Sequence, residues 1–292
     1  MYRQMMSPPP LPMSMQTQAT NTRFCLALTQ LGTQSMNSAN AKLTILGIGV
    51  ERFITVNASD VRLFTIDGSN ANLTIGKNIT LVGSSTGYWS PYLIYVQRGN
   101  FTMRDGSKIT GHTGWAFVSL GTVRVEGINA SFKMDGGEIT ENAAYDAVVY
   151  VTAGATFEMS GGSITGNQGS AKNDNGTEVF INDANCIFRL SGNAKIGRLM
   201  LFANNNTTRS TVTIVGNYSG TVTTLHLSGN QYANDVAPLW TNAPVIVNGT
   251  AGVISMFNNG GLGNFSYNMQ FWAGVSIRAT HELNASGVLV LK

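Results

Sequence analysis

The feature that most constrains this chain is a unit that recurs along its middle. Phe157-Glu158-Met159-Ser160-Gly161-Gly162-Ser163-Ile164-Thr165-Gly166-Asn167 has a near copy in Phe132-Lys133-Met134-Asp135-Gly136-Gly137-Glu138-Ile139-Thr140-Glu141-Asn142, and looser copies begin at Phe101 and Phe188. A repeat of this kind decides architecture before any single motif does. Phe157 and Met159 alternate with Glu158 and Ser160, the period of a strand with one apolar face. Gly161-Gly162 then allows a sharp corner, since glycine accepts positive φ. Ile164 resumes the apolar face, and Asn167 suits the next corner because Asn tolerates the left-handed region.

The leading Phe residues lie 31, 25 and 31 positions apart, one coil of a β-solenoid with optional insertions. Coils stacked about 4.8 Å apart turn Phe101, Phe132, Phe157 and Phe188 into an internal ladder, with Met103, Met134, Met159 and Leu190 beside it. The outward positions Thr102, Lys133, Glu158 and Arg189 then alternate in charge, and Arg104 falls beside Asp135. Such cross-strand pairs contribute a few tenths of a kcal/mol each. Phe to Ile spans seven residues in the central copies and eight in the outer two, which places a bulge at Ser107-Lys108 and Ala194-Lys195.

Short apolar strands such as Leu93 to Val96, Val148 to Val151 and Val179 to Ile181 precede the Phe copies and form another recurring face. Leu73 to Gly83 reads as a degenerate first copy. The chain therefore divides into a disordered tail over 1–40, with at most a short helix near 24–31, a coil over 41–235 and a β-rich C-terminal cap over 236–292. The fold class is all-β, a single-stranded right-handed parallel β-helix, or β-solenoid. Inserts at 84–92 and 169–176 break the rhythm.

Charged residues make up only 11%, the 33 glycines suit many turns, and a net charge of +3 is spread without a basic run. Nucleic acid is excluded as a partner on that ground, and no apolar run is long enough to span a membrane as a helix. Cys25 and Cys186 read as unpaired thiols, and the scattered His112, His226 and His281 lack metal-ligand spacing. Gly47-Ile48-Gly49 and the glycines at 260–263 read as turns, not phosphate loops.

The pattern F-x-M-x-G-G-x-I-T-x-N with an intervening V-x-V strand resembles the right-handed parallel β-helix repeat proteins of bacterial surfaces, in the pectin-lyase-like superfamily. Gly136-Gly137-Glu138-Ile139 and Gly161-Gly162-Ser163-Ile164 are similar to the repeats of polymorphic outer-membrane proteins. The resemblance covers about residues 70–200 well. It implies an extracellular or cell-surface location and a non-catalytic, adhesin-like monomer that presents loops to carbohydrate or host molecules. No signal peptide is evident, so an exported reading expects a leader outside this sequence.

Two alternatives accompany that expectation. A polysaccharide lyase or hydrolase of the superfamily needs grouped carboxylates, with Ca²⁺ as cofactor only for a lyase. The densest acidic cluster is Asp135, Glu138, Glu141 and Asp146, with Lys133 as a possible base. The competing and adopted reading takes these as solvated positions. The other alternative is a structural stalk without a ligand. Tyr88, Trp89, Tyr92 and Trp115 are the candidate sugar-binding aromatics, in or near inserts where binding residues tend to sit. Asp174 and Glu178 form an oxygen-rich Ca²⁺ candidate that lacks calcium-loop spacing and reads as a turn.

Overall fold

The computed structural model describes residues 22–24, 29–56, 62–84, 92–114, 121–144, 146–169, 177–229, 233–267 and 275–292. They form a parallel β-solenoid. A nine-stranded sheet carries the Phe column, and a 15-stranded sheet bends around a corner into two further faces. The three are called here the Phe, Ile and Val faces. Lys195–Ala203 runs unbroken from the Ile face into the Val face, because Ile196 pairs with Ile164 and Leu199 with Val179.

The ladder expected from the repeat is present. Phe101, Phe132, Phe157 and Phe188 pair in register and are fully buried. Their rings stack at 5.1, 4.9 and 5.3 Å, tilted by no more than 18°, within the range in which aromatic pairs attract. Leu43 and Leu73 extend the column at one end, Val212 and Ile246 at the other. The Ile face stacks Ile54, Leu81, Ile109, Ile139, Ile164, Ile196 and Val222 in the same way. Outside the ladder, Glu158 and Arg189 pair at 2.6 Å. Lys133 instead turns along its own strand to Asp135 at 3.1 Å.

The Gly-Gly corner has a steric cause. Gly162 sits at φ +77, and a Cβ there would lie 2.5 Å from the Gly137 carbonyl one coil away. Lys108 and Lys195 pair in register with Glu138 and Ser163. The extra residue of the outer copies is therefore absorbed in the turn ahead of these strands, one or two positions before the expected bulge.

Asn167 does not occupy the left-handed seat expected of it, and neither does its counterpart Asn142. Glu141 at φ 57 and Gly166 at φ 72 take it, and each Asn turns its amide inward. Asn142 Oδ1 accepts from His112 N at 3.1 Å, and Asn167 Oδ1 accepts from Asn142 N at 3.1 Å. Both Nδ2 groups donate to carbonyls of their own and the preceding coil. This buried ladder satisfies backbone groups that the corner would otherwise strand without partners.

The coil limits differ from the sequence reading. Thr22–Phe24, Thr29–Leu31 and Gln34–Met36 already pair in parallel with the next coil. The coil thus starts inside the stretch read as tail, and residues 29–31 are strand where a short helix was expected. At the other end Ile246–Val247 and Leu262–Tyr267 continue the two sheets past residue 235. They are interleaved with helices Ala233–Trp240 and Ala251–Met256 and with an antiparallel sheet of Ala243–Pro244, His281–Leu283 and Val288–Leu291. The end is therefore mixed in character. Trp240 is buried and donates its indole N–H to the Ser228 carbonyl at 3.0 Å. No described helix is long and apolar enough to cross a membrane.

Candidate functional site

The Val face buries Val123, Val125, Val149, Val151, Val179, Ile181, Leu199 and Leu201 in the interior core. Strand alternation sends the residues between them to the outer side. Register lines these up as one row: Tyr95, Arg124, Tyr150, Phe180, Met200, His226. Tyr150, Phe180 and Met200 join Ala147 and Phe202 in a second buried cluster, separate from the interior core. Its rings meet edge to face, Tyr150 to Phe180 at 5.6 Å and Phe180 to Phe202 at 6.4 Å.

One end of this row is a tyrosine–arginine patch. The Tyr92 and Tyr95 rings lie 5.1 Å apart. Arg62 sits 4.8 Å over Tyr95, and Arg124 lies 5.0 Å from the Tyr92 ring and 5.2 Å from the Tyr150 ring. All are cation–π distances. Glu126 Oε2 accepts from Tyr95 Oη at 2.6 Å and from Arg124 Nε at 2.9 Å. The Arg124 hydrogen bond holds the Glu126 carboxyl below its usual range. Burial, with the Glu126 charge, pushes the Tyr95 phenol up to about 12. No described carboxylate pairs with Arg62.

Asp146 stands beside this patch under the opposite influence. It is 2% exposed, and its Oδ2 has no hydrogen-bond partner among the described residues. Burial pushes its carboxyl up to about 7, and the Arg124 charge offsets only part of that. The native state thus keeps a proton that the unfolded chain releases near the ordinary carboxylate value. Stability falls as pH rises between those two values and is flat above the native one. Replacing Asp146 with Asn should raise the thermal midpoint at pH 8 and barely change it at pH 4. Equal shifts at both pH values, read by circular dichroism melts, would refute the assignment.

The other end of the row opens into a polar cleft of about 660 Å³, lined by Asn167, Glu178, Arg198, Thr224, His226 and Asn264 among others. Here the Asn ladder stops. Glu178 Oε1 accepts from Asn167 N at 3.2 Å, and Oε2 accepts from Arg198 N at 2.6 Å. The carboxylate takes the place of the next corner amide, and a Cβ at Gly197 would displace it. Burial raises the Glu178 carboxyl against the pull of those hydrogen bonds. Burial also lowers His226 to about 4, so its ring is neutral near pH 7, with Nδ1 accepting from Asn264 N at 3.2 Å.

The structure scatters the acidic cluster read from sequence. Asp135 follows the Phe face, bound to Lys133 and to the Ser160 hydroxyl. Glu138 is exposed in the Ile face. Glu141 is exposed at the next corner, 3.8 Å from Lys108. Asp146 lies apart from all three, beside the Val face. Among the described residues no three His, Cys, Asp or Glu side chains gather as a metal site would require. Of the sugar-binding aromatics, Tyr92 falls in the patch, whereas Tyr88, Trp89 and Trp115 lie outside the described residues. So does Asp174, and Glu178, its partner in the Ca²⁺ candidate, already spends both oxygens on backbone N–H groups. Cys186 is a free, buried thiol.

Sequence reasoning missed Arg62, Tyr95, Arg124 and Glu126. The signal was available in Ile94-Tyr95-Val96 and Val123-Arg124-Val125-Glu126, whose middle residues stack if the V-x-V strands are aligned as the Phe copies were. Compared with protein-family models, curated proteins and solved structures, the chain finds no match.

Proposed function

We propose that this chain is a non-catalytic, exported β-solenoid of the adhesin-like kind that holds an acidic carbohydrate on the tyrosine–arginine patch of its Val face. The observation that carries this reading is Arg62. Its guanidinium lies over two half-buried tyrosine rings and has no carboxylate partner among the described residues, so the described part of the patch carries a net positive charge beside aromatic surface. A uronate carboxylate pairs with that charge in the fork geometry that arginine favours. The cell-surface setting rests on the resemblance of the repeat motif to pectin-lyase-like repeat proteins.

The test is a titration of the purified chain with acidic and neutral oligosaccharides, with and without Ca²⁺, while ultraviolet absorbance is followed for unsaturated product. Tyr95→Ala and Arg62→Ala should each weaken acidic-oligosaccharide binding about tenfold, which is about 1.4 kcal/mol. Equal binding of acidic and neutral sugars would overturn the charge argument.

A second reading, a glycoside hydrolase, rests on one observation. Glu126 and Asp146 flank Arg124 with carboxyls pushed in opposite directions, the arrangement that separates base from acid in such enzymes. Release of reducing ends that Asp146→Asn abolishes would favour it over the non-catalytic reading. A ligand-free stalk is the account left if neither binding nor product is found.

A further inference from the structure

The corner between the Phe and Ile faces is short and polar in coil after coil: Gly76-Lys77-Asn78, then Arg104-Asp105-Gly106, Asp135-Gly136-Gly137 and Ser160-Gly161-Gly162. An early corner departs from this in being apolar. Between strands Lys42–Ile45 and Arg52–Val56 the chain reads Leu46-Gly47-Ile48-Gly49-Val50-Glu51. Both feet of this loop are tied to the next coil, Gly47 N to the Lys77 carbonyl at 2.9 Å and Arg52 N to the Asn78 carbonyl at 2.8 Å. The tip between them projects. Ile48 is 65% exposed and Val50 61%, Gly49 has open space around it, and Leu46 and Phe53 are exposed on either side. Isolated exposed apolar residues are ordinary, but a contiguous group on a projecting tip marks an interaction site.

The surroundings of the tip are basic. Leu46 lies against Gly76, next to Lys77, and the Arg104 side chain begins at the same spot. Arg52 braces the loop by donating to the Ile48 carbonyl at 3.4 Å. No described carboxylate pairs with Arg52, Lys77 or Arg104. Of the two acids nearby, Glu51 accepts from the Thr80 hydroxyl and Asp105 stands at the next corner. Three cations against two acids leave the rim positive around an apolar point.

We propose that the 46–53 loop docks on an anionic lipid surface, with Ile48 and Val50 entering the headgroup–acyl boundary while Arg52, Lys77 and Arg104 meet the lipid phosphates. A narrow aliphatic tip offers too little area for a stable protein–protein interface. Shallow insertion with basic flanks is how peripheral segments hold to acidic bilayers. The loop leaves the solenoid at the corner between the Phe and Ile faces, away from the outer side of the Val face, so docking does not depend on what the tyrosine–arginine patch binds.

The test is co-sedimentation of the full chain with vesicles of phosphatidylcholine alone and of phosphatidylcholine mixed with phosphatidylglycerol. The chain should sediment with the mixed vesicles, and added salt should release it. The double variant Ile48→Asp/Val50→Asp should lose at least tenfold in vesicle affinity at an unchanged melting temperature. Lys77→Glu/Arg104→Glu should weaken binding and flatten its salt dependence. Absence of binding to the mixed vesicles overturns the proposal. So does retention of binding by the aspartate variant, or self-association of the chain that the same variant removes without any vesicle binding.

Discussion

Phe157→Ala should lower the unfolding free energy by about 3–5 kcal/mol, the usual loss when a large aromatic core side chain is truncated. Phe157 is fully buried and stacks on two neighbours, Phe132 at 4.9 Å and Phe188 at 5.3 Å. Its removal opens a gap in mid-ladder that rigid coils above and below cannot close. Because each coil in a solenoid touches only its neighbours, the damage should also show in the shape of the transition. Urea unfolding followed by circular dichroism should broaden or split as the two halves of the stack lose their coupling. A loss below about 1 kcal/mol, on the scale of a tolerated hydrophobic swap, with one sharp transition would mean that the ladder is not the spine of the fold.

Asn142→Ala should cost nearly as much for a different reason. The side chain is small, and little apolar contact is lost. What is lost is the acceptor for His112 N and the amide donor to the Ile109 and Thr140 carbonyls. Each buried group left unpaired costs about 1–3 kcal/mol, so with three such groups a total of at least about 3 kcal/mol is expected. Asn142→Asp separates this from packing. It preserves the shape and the acceptor but removes the two amide donors and buries a charge, so at pH 7 it should be at least as damaging as alanine. A near-neutral Asn142→Asp in the same urea titration would show that the hydrogen-bond ladder carries little weight.

These two residues also mark the border of what the sequence made legible. The Phe column could be read residue for residue because an apolar period of two has one physical solution when it recurs at coil spacing. Asn167, the counterpart of Asn142 in the repeat, was assigned to the correct corner but the wrong task. Asparagine suits corners both through its tolerance of positive φ and through its amide, and the neighbouring Glu141 or Gly166 could take the left-handed seat instead. Only the three-dimensional corner decides between them. The tyrosine–arginine patch was half visible. Tyr92 stood out beside an insert, whereas Tyr95 and Arg124 hid inside strands whose apolar residues drew attention inward.

The C-terminal region misled for a third reason. Val236, Leu239 and Trp240 are spaced three and four apart, a helical signal over Ala233–Trp240, but the aromatic-rich composition beyond was taken for more sheet. The scatter of the acidic cluster follows from geometry. Asp135, Glu138 and Glu141 are close in sequence, yet a coil turns a corner every few residues and points neighbours in different directions.

The second buried cluster has a consequence for how the molecule comes apart. Ala147–Thr152, Thr177–Ile181 and Lys195–Ala203 are apolar on both sides of the sheet, inward through their valines and leucines and outward through Tyr150, Phe180 and Met200. Among the described residues, the other coils detach from one apolar layer to open; here a coil must shed two. Amide exchange should therefore be slowest at this waist and quicken toward both tips, so thermal opening would peel the stack from its ends and stall against a clamped middle.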